Sequence, residues 1–248
     1  MIRFTEATKR FAGRVIVDEL TLDIRTGDIT ALLGPNGSGK TTTLKMAAGL
    51  IKPDAGTITI DGEPAWNAHA RGRLAYLPQR VSFAEGLTGR EVVEFYRRVR
   101  GAPPESTDDA LRFAALNGAS ARPVATYSGG MIQRLGLAIV TLPCTEMLLL
   151  DEPGAALDPQ GLAAFHRVMT DARGARTVLF TSHQIAEVER IADRVLVLVG
   201  GALVADLSRA GRQAWRDVHG TAPLDQWYTA LVEAAVAGEK GHGAWPAR

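Results

Sequence analysis

The sequence predicts an α/β fold, and three observations carry that prediction. Short, unbroken apolar runs at 29–33, 147–150 and 177–181 read as strands buried on both faces, the kind that parallel sheets contain. Stretches with helical spacing of apolar residues, at 40–50, 162–172 and 185–192, stand beside them. Residues 2–9, 15–24 and 57–62 alternate apolar and polar residues. They read as a smaller, partly antiparallel sheet that faces a core on one side.

Each element has its own local reason. The strand at 57–62 ends in an Asp61-Gly62 turn, and 73–77 is a short strand closing on Pro78-Gln79. Thr88-Gly-Arg-Glu91 has capping-box spacing, with Thr88 as N-cap and Glu91 three residues on. Val92, Val93, Phe95, Tyr96 and Val99 continue that helix until Gly101 and Pro103-Pro104 end it. Residues 108–116 and 131–142 are also helical, so roughly 86–142 is expected to be a helical insertion between strands. Residues 195–199, Gly200-Gly201 and 202–206 read as a hairpin. One domain is expected over 1–206. A short extension follows over 207–248, with one helix and a glycine-rich tail from 237 that is expected to fray.

Composition narrows the function classes. The chain has 248 residues and 46% hydrophobic content, enough for a substantial core. A net charge of +1 gives no electrostatic reason to expect nucleic acid or an anionic membrane as partner. The single cysteine, Cys144, is expected to be a small buried hydrophobe, which suits a reducing cytosol. Strand-like alternation from Met1 argues against a signal peptide. No apolar stretch approaches the ~18 residues of a membrane span. Any membrane association is therefore expected to run through a partner, without direct insertion.

The strongest motif runs from Gly34 to Thr42, Gly-Pro-Asn-Gly-Ser-Gly-Lys-Thr-Thr. It fits the phosphate-loop pattern G-x-x-x-x-G-K-[ST] at Gly34, Gly39, Lys40 and Thr41, between a strand and a helix as the motif requires. Helix-terminal N–H groups with no partner in the helix, and the helix dipole, make an anion site there. Glycine lets the backbone curl around a phosphate. Lys40 would neutralise β and γ phosphates, and the Thr41 hydroxyl would ligate Mg²⁺.

Three further clusters are candidates. Asp151 and Glu152 end a buried strand, and neighbouring strand residues point to opposite sides, so the two acids can do different jobs. Asp151 would hold Mg²⁺ directly or through water. Glu152 would polarise the water that attacks the γ-phosphate. Alone, an apolar run ending in two acids is commonplace; beside a phosphate loop it becomes the Mg²⁺ partner. His183 follows the buried strand at 177–181, where open α/β sheets bind ligands, and its order and spacing favour a γ-phosphate contact. His69, His166, His219 and His242 are read as structural. Ser128-Gly129-Gly130 opens a helix. It is either an ordinary N-cap or a second anion site serving another molecule's nucleotide.

Taken in order, these residues resemble the ATP-binding subunit of an ATP-binding-cassette transporter. Gly34, Pro35, Asn36, Gly37, Ser38, Gly39, Lys40, Thr41 and Thr42 match the Walker A loop. Residues 147–152 match the Walker B strand with its catalytic glutamate. Gln79 matches the Q-loop, implying a role in both catalysis and Mg²⁺ binding. Ser128, Gly129 and Gly130 match the signature motif, Ala156-Leu157-Asp158 the D-loop, and His183 the switch histidine. Phe11 falls where the family places an aromatic against adenine. The resemblance spans 1 to about 206. It implies a P-loop NTPase core of RecA type, an antiparallel β subdomain and a helical subdomain that carries the signature.

It further implies ATP and Mg²⁺ as cofactors and a head-to-tail homodimer in which Ser128 and Gly130 meet the partner's ATP. A separate integral membrane permease would dock near Gln79 and the helical insertion. The location implied is cytoplasmic, on the inner face of the cell membrane. Two departures stand out. The signature reads Tyr-Ser-Gly-Gly-Met, not Leu-Ser-Gly-Gly-Gln, and Gly154 follows Pro153 where the family often has threonine. Residues 130–138 and 223–231 are similar to the exporter branch. Residues 77–83 and 87–91 also resemble the ATPase of the copper-processing system that matures nitrous oxide reductase. A soluble ATPase of the iron–sulfur assembly type is the alternative. A DNA-repair or translation factor fits less well, because the charge is neutral and the cassette single.

Overall fold

A computed structural model describes residues 1–116, 118–143, 145–155, 157–219 and 224–237. Cys144, Ala156, Pro223, His242 and the tail after 237, on which the sequence raised expectations, lie outside the described residues. The chain opens with β1 (Ile2–Phe11), β2 (Arg14–Ile24), β3 (Ile29–Leu33) and α1 (Lys40–Ala47). Next come β4 (Ala55–Ile60), β5 (Glu63–Pro64), α2 (Ala68–Gly72) and β6 (Leu74–Leu77). Helices α3 (Gly89–Val99), α4 (Ser106–Phe113) and α5 (Gly129–Val140) form the insertion. The chain returns through β7 (Met147–Leu150), α6 (Pro159–Ala172), β8 (Thr177–Thr181) and α7 (Ile185–Ile191). It closes with β9 (Arg194–Val199), β10 (Ala202–Ser208), α8 (Arg209–His219) and α9 (Leu224–Val236).

The strands form two sheets. One is antiparallel, in the order β2-β1-β4-β5. The other has the order β10-β9-β3-β8-β7-β6, parallel except for the β9–β10 hairpin. Alternation along the parallel strands sends successive side chains to opposite faces. Ala31, Leu33, Leu148, Leu150, Val178 and Phe180 pack with Phe165 and Met169 of α6 and Val188 of α7. Leu32, Leu149 and Leu179 pack with Leu44 and Met46 of α1 and with Phe4 and Ile58 of the small sheet. Both faces are covered, which explains why these strands carry no charge and, apart from Thr30, Thr177 and Thr181, are apolar. The helical insertion has its own core, built on Val92, Val93, Leu111, Leu135 and Ile139.

Local chemistry sets the boundaries. The capping box forms: Thr88 Oγ1 accepts from Glu91 N at 3.2 Å, and Thr88 N donates to Glu91 Oε2 at 2.8 Å. Helix α6 starts earlier than the apolar spacing predicts, because Asp158 caps it and Pro159 fits its first turn. Helix α4 stops at Phe113, ahead of the expected 116, and Ala115 sits at φ 48°. Periodicity gave no sign of the short α2. Helix α9 is not a loose appendage. Its Leu224 and Trp227 are buried in the same cluster as the central sheet.

Candidate functional site

The loop between β3 and α1 is crowded from beneath. A Cβ on Gly34 (φ 153°) would lie 2.2 Å from the Leu198 carbonyl oxygen, and one on Gly39 (φ 100°) 2.6 Å from that of Ile16. Any side chain at either position would push the loop off the sheet. Lys40, the first residue of α1, is buried, and its Nζ donates to the carbonyls of Gly34 (2.8 Å) and Pro35 (3.1 Å). Burial pulls the Lys40 pKa below its ordinary value, partly offset by the nearby charges of Glu152 and Asp151. The lysine is thus a desolvated cation resting on the carbonyls of its own loop. A polyanion would relieve that desolvation.

The chemistry gathers at the carboxyl ends of four neighbouring parallel strands, β3, β8, β7 and β6. They deliver the loop, His183, the Asp151–Glu152 pair and Gln79 respectively. Asp151 is buried, and its Oδ1 accepts a 2.8 Å hydrogen bond from the Thr181 hydroxyl. Its Oδ2 is buried without a hydrogen-bond partner. Beside it the Tyr76 hydroxyl is pushed up in pKa, first by burial and then by the Asp151 charge. Glu152 has φ 49°, a left-handed backbone that turns its side chain out of the strand. Its Oε2 accepts from Gln79 Nε2 at 2.8 Å, and its Oε1 lies 2.5 Å from His183 Nε2. A carboxylate held between an amide donor and an imidazole at the edge of an anion cradle is placed to accept a proton from a water.

Asn36, Gly37, Ser38, Gly39, Lys40, Thr41, Thr42, Gln79, Glu152 and His183 line one cleft of about 420 Å³. Ile16 of β2 joins them, a residue that no motif singles out. Gly34 and Pro35 lie behind it and take part through their carbonyls. Phe11 stands at the end of β1, 46% exposed and off the cleft wall, with the Lys9 ammonium 5.4 Å from its ring centre. Ser128, Gly129 and Gly130 also stand off this cleft. Ser128 caps α5 by accepting from Met131 N at 3.3 Å. Asp158 accepts from Gly161 N at 2.7 Å and from Arg134 Nη1 at 2.6 Å. Arg134 first, and the Gly161 amide second, hold its carboxyl below the usual range.

The donor set suits Mg²⁺. A hydroxyl (Thr41), an amide oxygen (Gln79) and a carboxylate (Asp151) are hard oxygen ligands. The orphaned Asp151 Oδ2 is a buried acceptor in need of a positive partner. Among the described residues no cluster of three or more His, Cys, Asp or Glu could hold a metal alone.

Known proteins give this geometry a family. Residues 17–155 match the family model described as ABC transporter. The Nod factor export ATP-binding protein I of Burkholderia lata is 37% identical over 212 residues, covering 83% of this chain and 70% of that protein. An uncharacterised ABC transporter ATP-binding protein of Bacillus subtilis, YxlF, is 35% identical over 207 residues, covering 82% and 69%. Among solved structures, an ATP-binding subunit of an ABC transporter superposes with a TM-score of 0.85 at 25% identity, covering 93% of this chain and 99% of that one. A dimeric cassette in a post-hydrolysis state with ADP and Pi shares the fold, at TM-score 0.76 and 23% identity. With the phosphate loop, the paired acids and the helical insertion placed as described, the chain belongs to the ABC transporter family, as one of its ATP-hydrolysing cassettes.

Proposed function

We propose that this cassette works as a homodimer that closes over two ATP molecules and drives a separate membrane permease, in the direction of export. The single observation that carries the catalytic part is Glu152, oriented by Gln79 and His183 at the rim of the Lys40 cleft. The backbone amides of residues 36–41 and the Lys40 ammonium bind and orient the phosphates. Thr41, Gln79 and Asp151 would hold Mg²⁺, which supplies charge neutralisation at the phosphate oxygens. Glu152 accepts a proton from the attacking water, and His183 steadies that carboxylate and faces the γ-phosphate.

Ser128, Gly129 and Gly130 serve the partner's nucleotide. Their support is that a serine-capped, glycine-opened helix N-terminus stands away from its own chain's cleft. Asp158 would lie at the dimer contact, and Phe11 beside adenine. Export is supported by the names of relatives such as the Burkholderia protein. No described helix is long and apolar enough to cross a membrane, which fits a subunit attached to the inner face through its permease. Phe95 (57% exposed) and Val99 (68%), one turn apart on α3, offer the permease an apolar contact. Exchange of Glu152 for Gln tests the core of this reading. ATP hydrolysis should fall roughly 10²- to 10⁴-fold with ATP binding retained. Hydrolysis at the wild-type rate would remove Glu152 from the mechanism.

A further inference from the structure

We propose that Thr181 is a positioning residue that aims both acids of the site. The proposal rests on the catalytic reading above. Thr181 is the last residue of β8 and is fully buried. The β7–β8 register pairs Leu150 with Phe180, so the next residue on each strand, Asp151 and Thr181, lie side by side. The Thr181 hydroxyl accepts a hydrogen bond from Glu152 N at 2.8 Å. It donates to Asp151 Oδ1 at 2.8 Å. A hydroxyl has one proton, and the N–H of Glu152 cannot receive it, so that proton is committed to Asp151.

Two consequences follow for the chemistry. Thr181 fixes Asp151 through Oδ1; Oδ2, buried beside the Tyr76 hydroxyl and without a close hydrogen bond among the described residues, is the oxygen that would meet Mg²⁺ or one of its waters. Glu152 sits at φ 49°, a conformation strained for a non-glycine residue, which persists only where the surroundings hold it. The bond from its N–H to Thr181 is one such hold, and it points the carboxylate to Gln79 and His183. The β-branched side chain has few χ1 choices in a strand, so the hydroxyl is fixed before any ligand arrives. Valine has the same shape without the hydroxyl. Serine keeps the hydroxyl.

The experiment uses the full chain with Thr181→Val, Thr181→Ser and Glu152→Gln. It measures kcat and KM for ATP, ATP affinity by calorimetry with and without Mg²⁺, and the thermal midpoint. For Thr181→Val, kcat should fall roughly tenfold or more, as expected for losing a hydrogen bond to a charged group. ATP affinity without Mg²⁺ should stay within about twofold, while the gain in affinity on adding Mg²⁺ shrinks. Thr181→Ser should recover most of both. Wild-type kcat and an unchanged Mg²⁺ gain in Thr181→Val would overturn the proposal. So would equal damage in Val and Ser, which would make the site a matter of packing. If Glu152→Gln is inactive and Thr181→Val is not, this inference alone falls. If Glu152→Gln hydrolyses normally, the catalytic reading falls and takes the inference with it.

Discussion

Arg134 Nη1 donates to Asp158 Oδ2 at 2.6 Å, while the Arg134 Nε donates to the Ala114 carbonyl at 3.1 Å. Arg134 belongs to α5, the helix that Ser128 opens, and Asp158 is the N-cap of α6. One buried guanidinium therefore ties the signature helix to the segment leading into α6. Neither partner lines the cleft of its own chain.

That tie should be visible in acid. The Asp158 pKa is depressed, chiefly by Arg134, so its contribution is present above the unfolded value and is lost as pH falls through the folded one. Asp158→Asn keeps an N-cap acceptor for Gly161 N but removes the charge. The variant should melt below wild type at neutral pH. The gap should begin to narrow as the pH drops below about 4, where an unperturbed aspartate takes up its proton, and should vanish only below the lowered folded pKa. A gap that persists unchanged at low pH would mean that the charge contributes nothing.

Lys40 carries the opposite sign. Its folded pKa lies below the unfolded value, so the buried ammonium costs stability at neutral pH, and that cost disappears only above the unfolded pKa of about 10.4. Lys40→Met should therefore melt no lower than wild type without nucleotide, while ATP affinity falls steeply because the charge on the phosphates is gone. Calorimetry and a melting curve on the same sample check both. A lower midpoint would make Lys40 mainly a clamp on the Gly34 and Pro35 carbonyls.

The composite site has its own test. With hydrolysis blocked by Glu152→Gln, size-exclusion should show an ATP-dependent dimer. Adding Ser128→Arg places a bulky cation where the partner's γ-phosphate is expected, and the dimer should disappear while each chain still binds one ATP. If the double variant dimerises as well as the single one, Ser128 is only the cap that Met131 N already reports.

Permease docking separates two neighbouring aromatics. Phe83 packs against the helical core and meets Tyr96 edge to face at 6.3 Å, so Phe83→Ala should lower stability. Phe95 is exposed, so Phe95→Asp should leave the melting temperature and basal hydrolysis near wild type and uncouple transport in reconstituted vesicles. Normal transport by that variant would place the permease elsewhere.

What the sequence made legible was what lies close together along it. The phosphate loop and the Thr88–Glu91 box need only a few consecutive residues, so their chemistry can be read directly. The strands at 147–150 and 177–181 were legible because burial on both faces leaves no charged position and few polar ones. Thr181, Tyr76, Ile16 and the Arg134–Asp158 pair were not. Each acquires its role from strand register or from contacts across the fold, Thr181 and Asp151 being 30 positions apart in the chain and Arg134 and Asp158 24. No local pattern encodes such a meeting. Phe11 shows the converse: its position along the chain invited a role, yet it stands off the cleft wall in a single chain.

Strands β3, β7 and β8 are each hydrogen-bonded on both sides, so their carboxyl ends cannot open without rupturing the centre of the sheet. Their amides should be among the slowest in the chain to exchange with solvent. Ser128, Gly129 and Gly130 sit instead on an exposed helix start, where the chain turns out of the insertion. In the dimer proposed above, each nucleotide would thus rest on the centre of one chain's sheet and on the rim of the other chain's helical insertion.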